Sequence, residues 1–440
     1  MEHRLALADL ASLPSPGPQG EPAWLSERRQ RAAEWLADHG FPTKKDEDWR
    51  YVDLRPLLAM GFALPRILGD VRFDDMSLDG LAGLPGLGGP RLVLLNGRFA
   101  PGLSRLTDPP DGVRVTPLAD AIRVDDRAVR DVWRQPAEGW RHGFEALNVA
   151  LAVDGAFVQV AEAAAPDVPI EIVHVALGDQ TPPVSNPRTL VRVGAGGSAS
   201  IVETYLGAGD GPSLTNAHTE IVLDEGAALD HCRFQVETAE AYHLSSVHAC
   251  PGRDARFASH LVANGAHLGR HELLVVLTAE GATADLDGVY LPRGVQCHDN
   301  PVRVEHVAPA CTSHQLYKAI VDGAGHGIFN GHVIVHPGAA GTDAQQVNKS
   351  LLLSEQAEVD TRPRLEIFAD DVACTHGAAV GQLDLDALFY LRSRGISEPD
   401  ARRIVIAGFA QEVLGRIPAG ALRGRAEALI TAHLEDGDHR

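Results

Sequence analysis

The chain has 440 residues, with 39 lysines and arginines against 59 aspartates and glutamates, so its formal net charge is -20. This surplus of negative charge repels nucleic-acid phosphates and anionic membrane surfaces, which argues against either as a partner. The five cysteines are odd in number, scattered and without a C-x-x-C pair, which argues against a disulfide framework and against a self-contained zinc site.

The first region of the chain, residues 1–152, is predicted to be helical and mixed. Its start lacks the basic segment and long apolar run of a signal peptide, and no stretch approaches 18 apolar residues, so we expect a cytoplasmic protein. Residues 22–60 show a helical period ending near Gly40, and a second helix is expected at about 141–152. Residues 61–115, rich in Gly and Pro, indicate a small β or irregular element. Five apolar side chains mark one face of the first helix: Trp24, Leu25, Ala32, Trp35 and Leu36.

Residues 153–382 have a different character, with short aliphatic runs such as IEIVHVAL and HELLVVL between Gly, Asp and Asn. Similar turn segments begin at Gly197, Gly226, Gly252 and Gly281, with spacings of 29, 26 and 29 residues. That period fits one coil of a parallel β-solenoid, in which each coil buries its aliphatic strands by stacking on its neighbours. The pattern leaves a β-sandwich with regular hairpins as the alternative.

The last region, residues 383–440, returns to a helical period. Leu385, Leu388 and Phe389 share a face of a first helix that ends near Gly395. The SEPD segment from Ser397 predicts a capping box at the start of a second helix. A third helix is expected at about 419–435.

The second of these C-terminal helices carries an apolar stripe of Val405, Phe409 and Val413. A short helical appendage must bury such a face either on the solenoid or on a partner. The sequence pattern does not decide between the two.

Common enzyme signatures are missing. The chain has no G-x-x-x-x-G-K-[ST] and no G-x-S-x-G, and HELLV at His271 lacks the second histidine of H-E-x-x-H. Among the twenty histidines, His332 and His336 fall on one side of a predicted strand, opposite Val333 and Val335. They are either metal ligands or an outward polar face over an inward valine pair.

Cys374 and His376 lie two residues apart in DDVACTHGAAVG, where a β-like run precedes the first C-terminal helix. In an extended segment both side chains project from one face, with Cα atoms about 6–7 Å apart. A thiolate and an imidazole can bind the same inorganic core, but two ligands do not complete a tetrahedral site. On these residues alone, a structural cysteine beside an incidental histidine is the alternative.

Three segments resemble the SufB/SufD family, scaffold subunits of the SUF iron–sulfur cluster assembly machinery. ADDVACTHGAAVGQLDLDALFYLRSRGI with DARRIVIAGFAQEVL resembles the C-terminal signature of that family, and FPTKKDEDWRYVDL is similar to its P-x-x-K-x-E-x-W segment. The run GIFNGHVIVHPG is similar to the family core. Within the family the chain is SufD-like, because residues 347–354 lack the cysteine that SufB-like members carry shortly before the Thr-x-Pro at Thr361 to Pro363.

The resemblance implies a mainly β protein, with a right-handed parallel β-helix core between helical N- and C-terminal regions. It further implies a scaffold and not an enzyme, which pairs with a SufB-type subunit through the β-helix, carries a SufC-type ATPase on its C-terminal helices and binds no nucleotide itself. Val405, Phe409 and Val413 then become candidate contacts of the ATPase.

By the pattern of the family, His376 faces the essential cysteine of the partner across the heterodimer. The resemblance thus makes His376 a ligand or near-ligand of a transient iron–sulfur cluster shared with that subunit, and Cys374 a weaker candidate. Imidazole in place of thiolate leaves a cluster less tightly held, as a scaffold requires.

Two other functions are compatible with the residues. One is a metal-dependent enzyme on a β-solenoid that uses clustered histidines. The other is a purely structural homodimer, formed by the isolated chain through edge-to-edge pairing, because free solenoid edges accept an added strand.

Overall fold

A computed structural model describes residues 5–11, 21–63, 86–124, 127–133, 139–178, 181–209 and 211–437. In the described part of the N-terminal region, six helices and three strands precede the first long parallel ladder. The helices are α1 (Leu7–Ala11), α2 (Ala23–His39), α3 (Arg55–Leu58), α4 (Leu118–Arg123), α5 (Arg127–Val132) and α6 (Gly143–Leu151). The strands are β1 (Arg91–Leu95), β2 (Arg98–Phe99) and β3 (Val113–Pro117). Single 3-10 turns lie at Glu47–Trp49 and Pro101–Leu103.

The central region consists of strands that stack in register. They are β4 (Gly155–Val160), β5 (Ile170–Gly178), β6 (Val184–Ser185), β7 (Arg188–Val193), β8 (Ser198–Gly209), β9 (Leu214–Leu223), β10 (Ala228–Val236), β11 (Tyr242–Pro251), β12 (Arg256–Ala263), β13 (Leu268–Leu277), β14 (Thr283–Tyr290), β15 (Cys297–His306), β16 (Thr312–Val321), β17 (His326–Val335), β18 (Asp343–Leu352), β19 (Glu358–Ile367) and β20 (Ala373–Gln382). Three helices follow: α7 (Leu385–Ser393), α8 (Glu398–Leu414) and α9 (Ala421–Gly437).

The strands form two sheets. The first sheet has the order β2-β1-β5-β8-β10-β12-β14-β16-β18-β20, and the second has the order β19-β17-β15-β13-β11-β9-β7-β4-β3. From β7 onward, consecutive long strands alternate between the sheets, and neighbours within a sheet run parallel. The chain is therefore a β-solenoid of about 8 turns, as expected, and not a sandwich of hairpins.

A column of left-handed residues forms one corner of the solenoid. Gly196, Gly226, Asp254 and Gly281 have φ values of 63°, 65°, 53° and 74°. The backbone N–H of each donates to a carbonyl in the next coil, as from Gly226 to the Arg253 oxygen at 2.8 Å. Glycine relieves the steric cost of this conformation, which explains the predicted turn glycines Gly226 and Gly281, whereas Gly197 and Gly252 do not have a positive φ. Because Asp254 takes the same position, the corner does not always require glycine.

Helices cover the outer faces of the two sheets. Apolar residues of α8 and α9, including Ile406 and Val413, pack with Phe234, Val262 and Leu316 on the outer face of the first sheet. Helices α2 and α6 instead pack over the second sheet, in a core that holds Leu36, Phe144 and Leu244. The solenoid interior is a separate apolar core.

Several local predictions are confirmed. The predicted first helix ends at His39, and Gly40 follows with φ 69° while its N–H bonds the Leu36 carbonyl. Ser397 caps α8 by accepting the Asp400 N–H. His332 points outward to Glu366 at 2.9 Å, whereas Val333 and Val335 are buried. Part of the segment expected to be β or irregular, residues 64–85, lies outside the described residues. Across the described chain, none of the helices combines the length and apolar character that crossing a membrane requires.

Candidate functional site

The last coil of the solenoid is open. Among the described strands, β20 hydrogen-bonds only β18, and β19 only β17, so both sheets end on a ten-residue parallel strand with one free edge. In β20 every residue except Cys374 is exposed, whereas β16 is mostly buried. A strand in this state presents unpaired backbone N–H and C=O groups, which form a template for another strand.

Cys374 and His376 occupy interior columns of this open coil. Cys374 aligns with Ala344 on β18 and packs partly against a small apolar cluster of Val333, Val335, Ala339 and Ala344. His376 aligns with Gln346, which in turn aligns with Gln315 on β16. Side chains two apart on a strand share a face. Both donors therefore point toward the axis of the solenoid, at the end where no further coil of the described chain covers them.

The polar groups around His376 are unsatisfied. Among the described residues, the His376 side chain makes no hydrogen bond or ion pair, and it is exposed. Directly beneath it, Gln346 is 1% exposed and neither atom of its amide has a hydrogen-bond partner in the described chain. Buried polar groups normally find partners. The polar side chains at this end of the interior therefore need hydrogen-bond partners from solvent or from another molecule.

Cys374 is poised as a thiol and not as a thiolate. Partial burial, with a smaller contribution from Asp343, raises the pKa of the Cys374 thiol above its ordinary value. Metal binding requires the deprotonated sulfur and releases its proton. As the structure stands, the site offers one exposed imidazole and one half-buried thiol, a donor set that cannot enclose a metal or cluster alone.

An N-terminal segment, residues 46–49, reinforces the outer face of the same end. We call it the acidic strap. Its Glu47 pairs with Arg362 of β19, and Asp48 Oδ1 accepts from Arg364 Nη2 at 3.0 Å. Trp49 lies under Arg270, with 3.6 Å from the guanidinium carbon to the ring centre. The P-x-x-K-x-E-x-W pattern marked this segment, but nothing in its spacing indicated that it would bind β19.

The predicted stripe on α8 faces the solenoid. Val413 is fully buried, and Val405 and Phe409 are partly buried in the same core. Lys318 of β16 donates to the Phe409 carbonyl at 2.7 Å. The large apolar side chains that these helices expose are different ones: Leu385 at 75%, Phe389 at 74%, Tyr390 at 57% and Ile404 at 49%.

The comparisons with known proteins agree with this architecture. Residues 175–409 match the family model described as the SUF system FeS cluster assembly, SufBD core domain, and residues 18–172 match the SufBD protein N-terminal region. An iron–sulfur cluster assembly SufBD family protein of Synechocystis sp. is 32% identical, over 93% of this chain and 91% of its own length. The iron–sulfur cluster assembly protein SufD of Escherichia coli is 31% identical over 94% of both chains. Protein ABCI7, chloroplastic, of Arabidopsis thaliana is 30% identical over 97% of this chain and 87% of its own.

Proposed function

The chain belongs to the SufBD family of iron–sulfur cluster assembly proteins, and from this premise we propose that it is a SufD-like scaffold subunit whose open coil holds half of a cluster site. A SufB-type subunit adds its own edge strands to β19 and β20 and supplies the missing thiolate. The nascent iron–sulfur cluster is cargo held between the two subunits, with His376 as a ligand and Cys374 as a secondary donor.

The observation that carries this proposal is the uncovered imidazole of His376 in an otherwise filled interior column. In the earlier coils each interior side chain is covered by the next coil, and in the last coil the His376 column ends on a free donor above an unsatisfied amide. An imidazole on one iron binds less firmly than a thiolate, which suits a cluster that must be passed on.

The test is a cluster measurement on the complex. The chain is co-expressed with a SufB-type subunit and a SufC-type ATPase and purified without oxygen, and iron, acid-labile sulfide and the visible absorption are measured. His376→Ala should leave the complex assembled but without sulfide-bearing iron, and Cys374→Ser should reduce the cluster content less. The matched control is His336→Ala, because His336 is a half-buried outward imidazole paired with Glu305. Normal cluster content in His376→Ala would refute the proposal.

We also propose that the C-terminal helices bind the ATPase, as the family resemblance implies. Since Val413 is buried against the solenoid, the contact is best supported at the exposed apolar side chains of α7, Leu385 and Phe389. Phe389→Asp should weaken capture of the ATPase without unfolding the chain, because the side chain is 74% exposed. Val295→Asp, at a 72% exposed valine of the solenoid, is the control. Equal capture by both variants would contradict this contact.

A further inference from the structure

A cavity lies between α6 and the outer face of the second sheet, far along the chain from the open coil. Its volume is about 230 Å³, and its lining is largely apolar, with Trp140, Val149, Val222 and Leu274 among the lining residues. Polar side chains also line the wall, and three of them come from three different elements: Glu145 of α6, His218 of β9 and His248 of β11. The other charged side chains there are Arg28, Arg141, Arg188 and Glu220.

The three side chains are spaced like the ligands of one metal ion. Their donor atoms all lie within 4.8 Å of one another, and His248 Nε2 is 3.1 Å from Glu145 Oε1. Metal–ligand bonds of about 2.0–2.2 Å place neighbouring donors about 3.0 Å apart in an octahedron and about 3.4 Å apart in a tetrahedron. The His248–Glu145 separation of 3.1 Å fits such an edge, and the donor atom of His218 lies within 4.8 Å of both other donors.

The local fold fixes the carboxylate for this role. Glu145 lies in the first turn of α6, and its Oε2 accepts the backbone N–H of Arg141 at 3.0 Å. That bond holds the side chain back over the start of the helix, as in a capping box, and leaves Oε1 facing His248. Glu145 is 3% exposed, so this anion is held in a position that water hardly reaches.

The second observation is the buried imidazole of His218, which lacks a hydrogen-bond partner among the described residues. It is 5% exposed, and among the described residues it makes no hydrogen bond, with Glu220 Oε1 3.9 Å away. An imidazole that is buried and makes no hydrogen bond keeps a ring nitrogen available to a metal.

A guanidinium occupies the region where a metal charge would be. Arg141 Nη2 donates to Glu145 Oε1 at 2.8 Å and to Glu272 Oε2 at 2.9 Å, and lies 3.0 Å from His248 Nε2. The Arg141 side chain is 36% exposed, so solvent reaches part of it.

We propose that Glu145, His218 and His248 bind one divalent transition-metal ion, and that Arg141 is the cation that neutralises Glu145 when the metal is absent. Two imidazoles and one carboxylate are the donor set of Zn²⁺, Fe²⁺ and Co²⁺ sites, whereas Mg²⁺ and Ca²⁺ prefer oxygen donors. The remaining coordination position opens into the cavity, where a water or small ligand can exchange. This site is separate from the cluster position at His376 and needs no partner subunit.

The experiment uses the full-length chain without a histidine tag, stripped with a chelator and titrated with Co²⁺ under anaerobic conditions. The d–d absorption of Co²⁺ reports coordination, and a colorimetric competitor gives the affinity. Wild type should bind one equivalent that His218→Ala loses, with a fall greater than the roughly 10- to 100-fold that removal of an outer-shell partner causes. Arg141→Met should tighten binding by about tenfold or more, because it removes a competing charge.

Controls separate this site from other donors. Glu145→Gln keeps the size of the side chain and should lose the same equivalent as His218→Ala, while His376→Ala and His326→Ala should retain it. Circular dichroism checks that each variant is folded. Equal Co²⁺ binding by wild type and His218→Ala would overturn the proposal. Binding that appears only in Arg141→Met would also overturn it, since the natural chain would then be closed to metal.

Discussion

The two ends of the solenoid are built in opposite ways. At the first end, β2 pairs antiparallel with β1, and β3 pairs antiparallel with β4, so the sheets end on strands of two and five residues. At the last end, β19 and β20 are ten residues long, parallel and free along one edge. Short or antiparallel edges resist unwanted strand addition. The chain protects one end and leaves the other ready for pairing.

This difference separates histidines with the same chemistry into two roles. His298 lies inside the covered coils, is fully buried and has its Nε2 2.6 Å from the Gly265 carbonyl. His376 lies on the open coil and is exposed. The buried imidazole of His298 serves packing and folding, whereas the exposed imidazole of His376, in an interior column, is free to bind. Unfolding measurements on variants of the covered coils and of the open coil test this difference.

The largest effect is expected from acid on the covered coils. Burial lowers the pKa of His174, His298 and His306 to about 4, so these rings stay neutral in the folded chain while the unfolded chain takes up protons below about pH 6.5. Stability is therefore complete above that pH and falls toward pH 4, with a slope of up to about 1.4 kcal/mol per pH unit for each histidine. Burial raises the pKa of Asp299 to about 6, and this group opposes part of the loss.

Guanidinium unfolding at several pH values measures this loss of stability. His298→Gln should flatten the dependence by about one proton, whatever its effect on absolute stability. If the unfolding free energy of wild type stayed constant between neutral pH and about pH 5, the buried histidines would be accessible to water, and the proposed difference between covered and open coils would be wrong.

The next effect is expected at Arg270 of β13, the buried arginine that contacts the acidic strap. Arg270 is 1% exposed, pairs with Asp299 and with Glu272 at 2.9 Å, and donates to the Asp48 carbonyl at 3.0 Å. Arg270→Met leaves the buried Asp299 without its cation and leaves Glu272 with Arg141 alone of its two arginines, which should cost about 3–5 kcal/mol of unfolding free energy. Chemical denaturation measures the loss. Arg270→Lys should recover only part of it, because an ammonium cannot reproduce the forked contacts. A loss below about 1 kcal/mol would mean that water reaches the pair.

The sequence predicts the repeated parts of the molecule better than the contacts between distant parts. Recurring turn glycines indicate a solenoid because each coil needs the same left-handed corner, and the capping box at Ser397 predicts the start of α8 because its bond is local. The acidic strap joins Glu47 to Arg362 across 315 residues, and no periodicity encodes such a pair.

The candidate site was only partly predictable for a related reason. The two-residue spacing of Cys374 and His376 placed both on one face of a strand, and the structure agrees. Whether another coil covers that face depends on which coil is the last one. A local sequence pattern does not contain this information. An apolar stripe such as Val405, Phe409 and Val413 likewise looks the same in sequence whether it packs on the solenoid or on a partner. Burial of Val413 is visible only in the fold.

The smallest effect is expected at the open end, from an arginine that holds the same strap. Arg364 Nη2 donates to Asp48 Oδ1 at 3.0 Å, but the two side chains are 27% and 57% exposed, so water and salt screen the pair. Arg364→Ala should cost less than about 1 kcal/mol, and the difference from wild type should shrink further in high salt. Both arginines contact Asp48 of the strap, Arg270 from the covered coils and Arg364 from the free edge. The same denaturation assay therefore compares Arg364→Ala directly with Arg270→Met. If Arg364→Ala lost as much unfolding free energy as Arg270→Met, the last coil would be as firmly packed as the covered coils. The edge would then not depend on a second subunit for its stability.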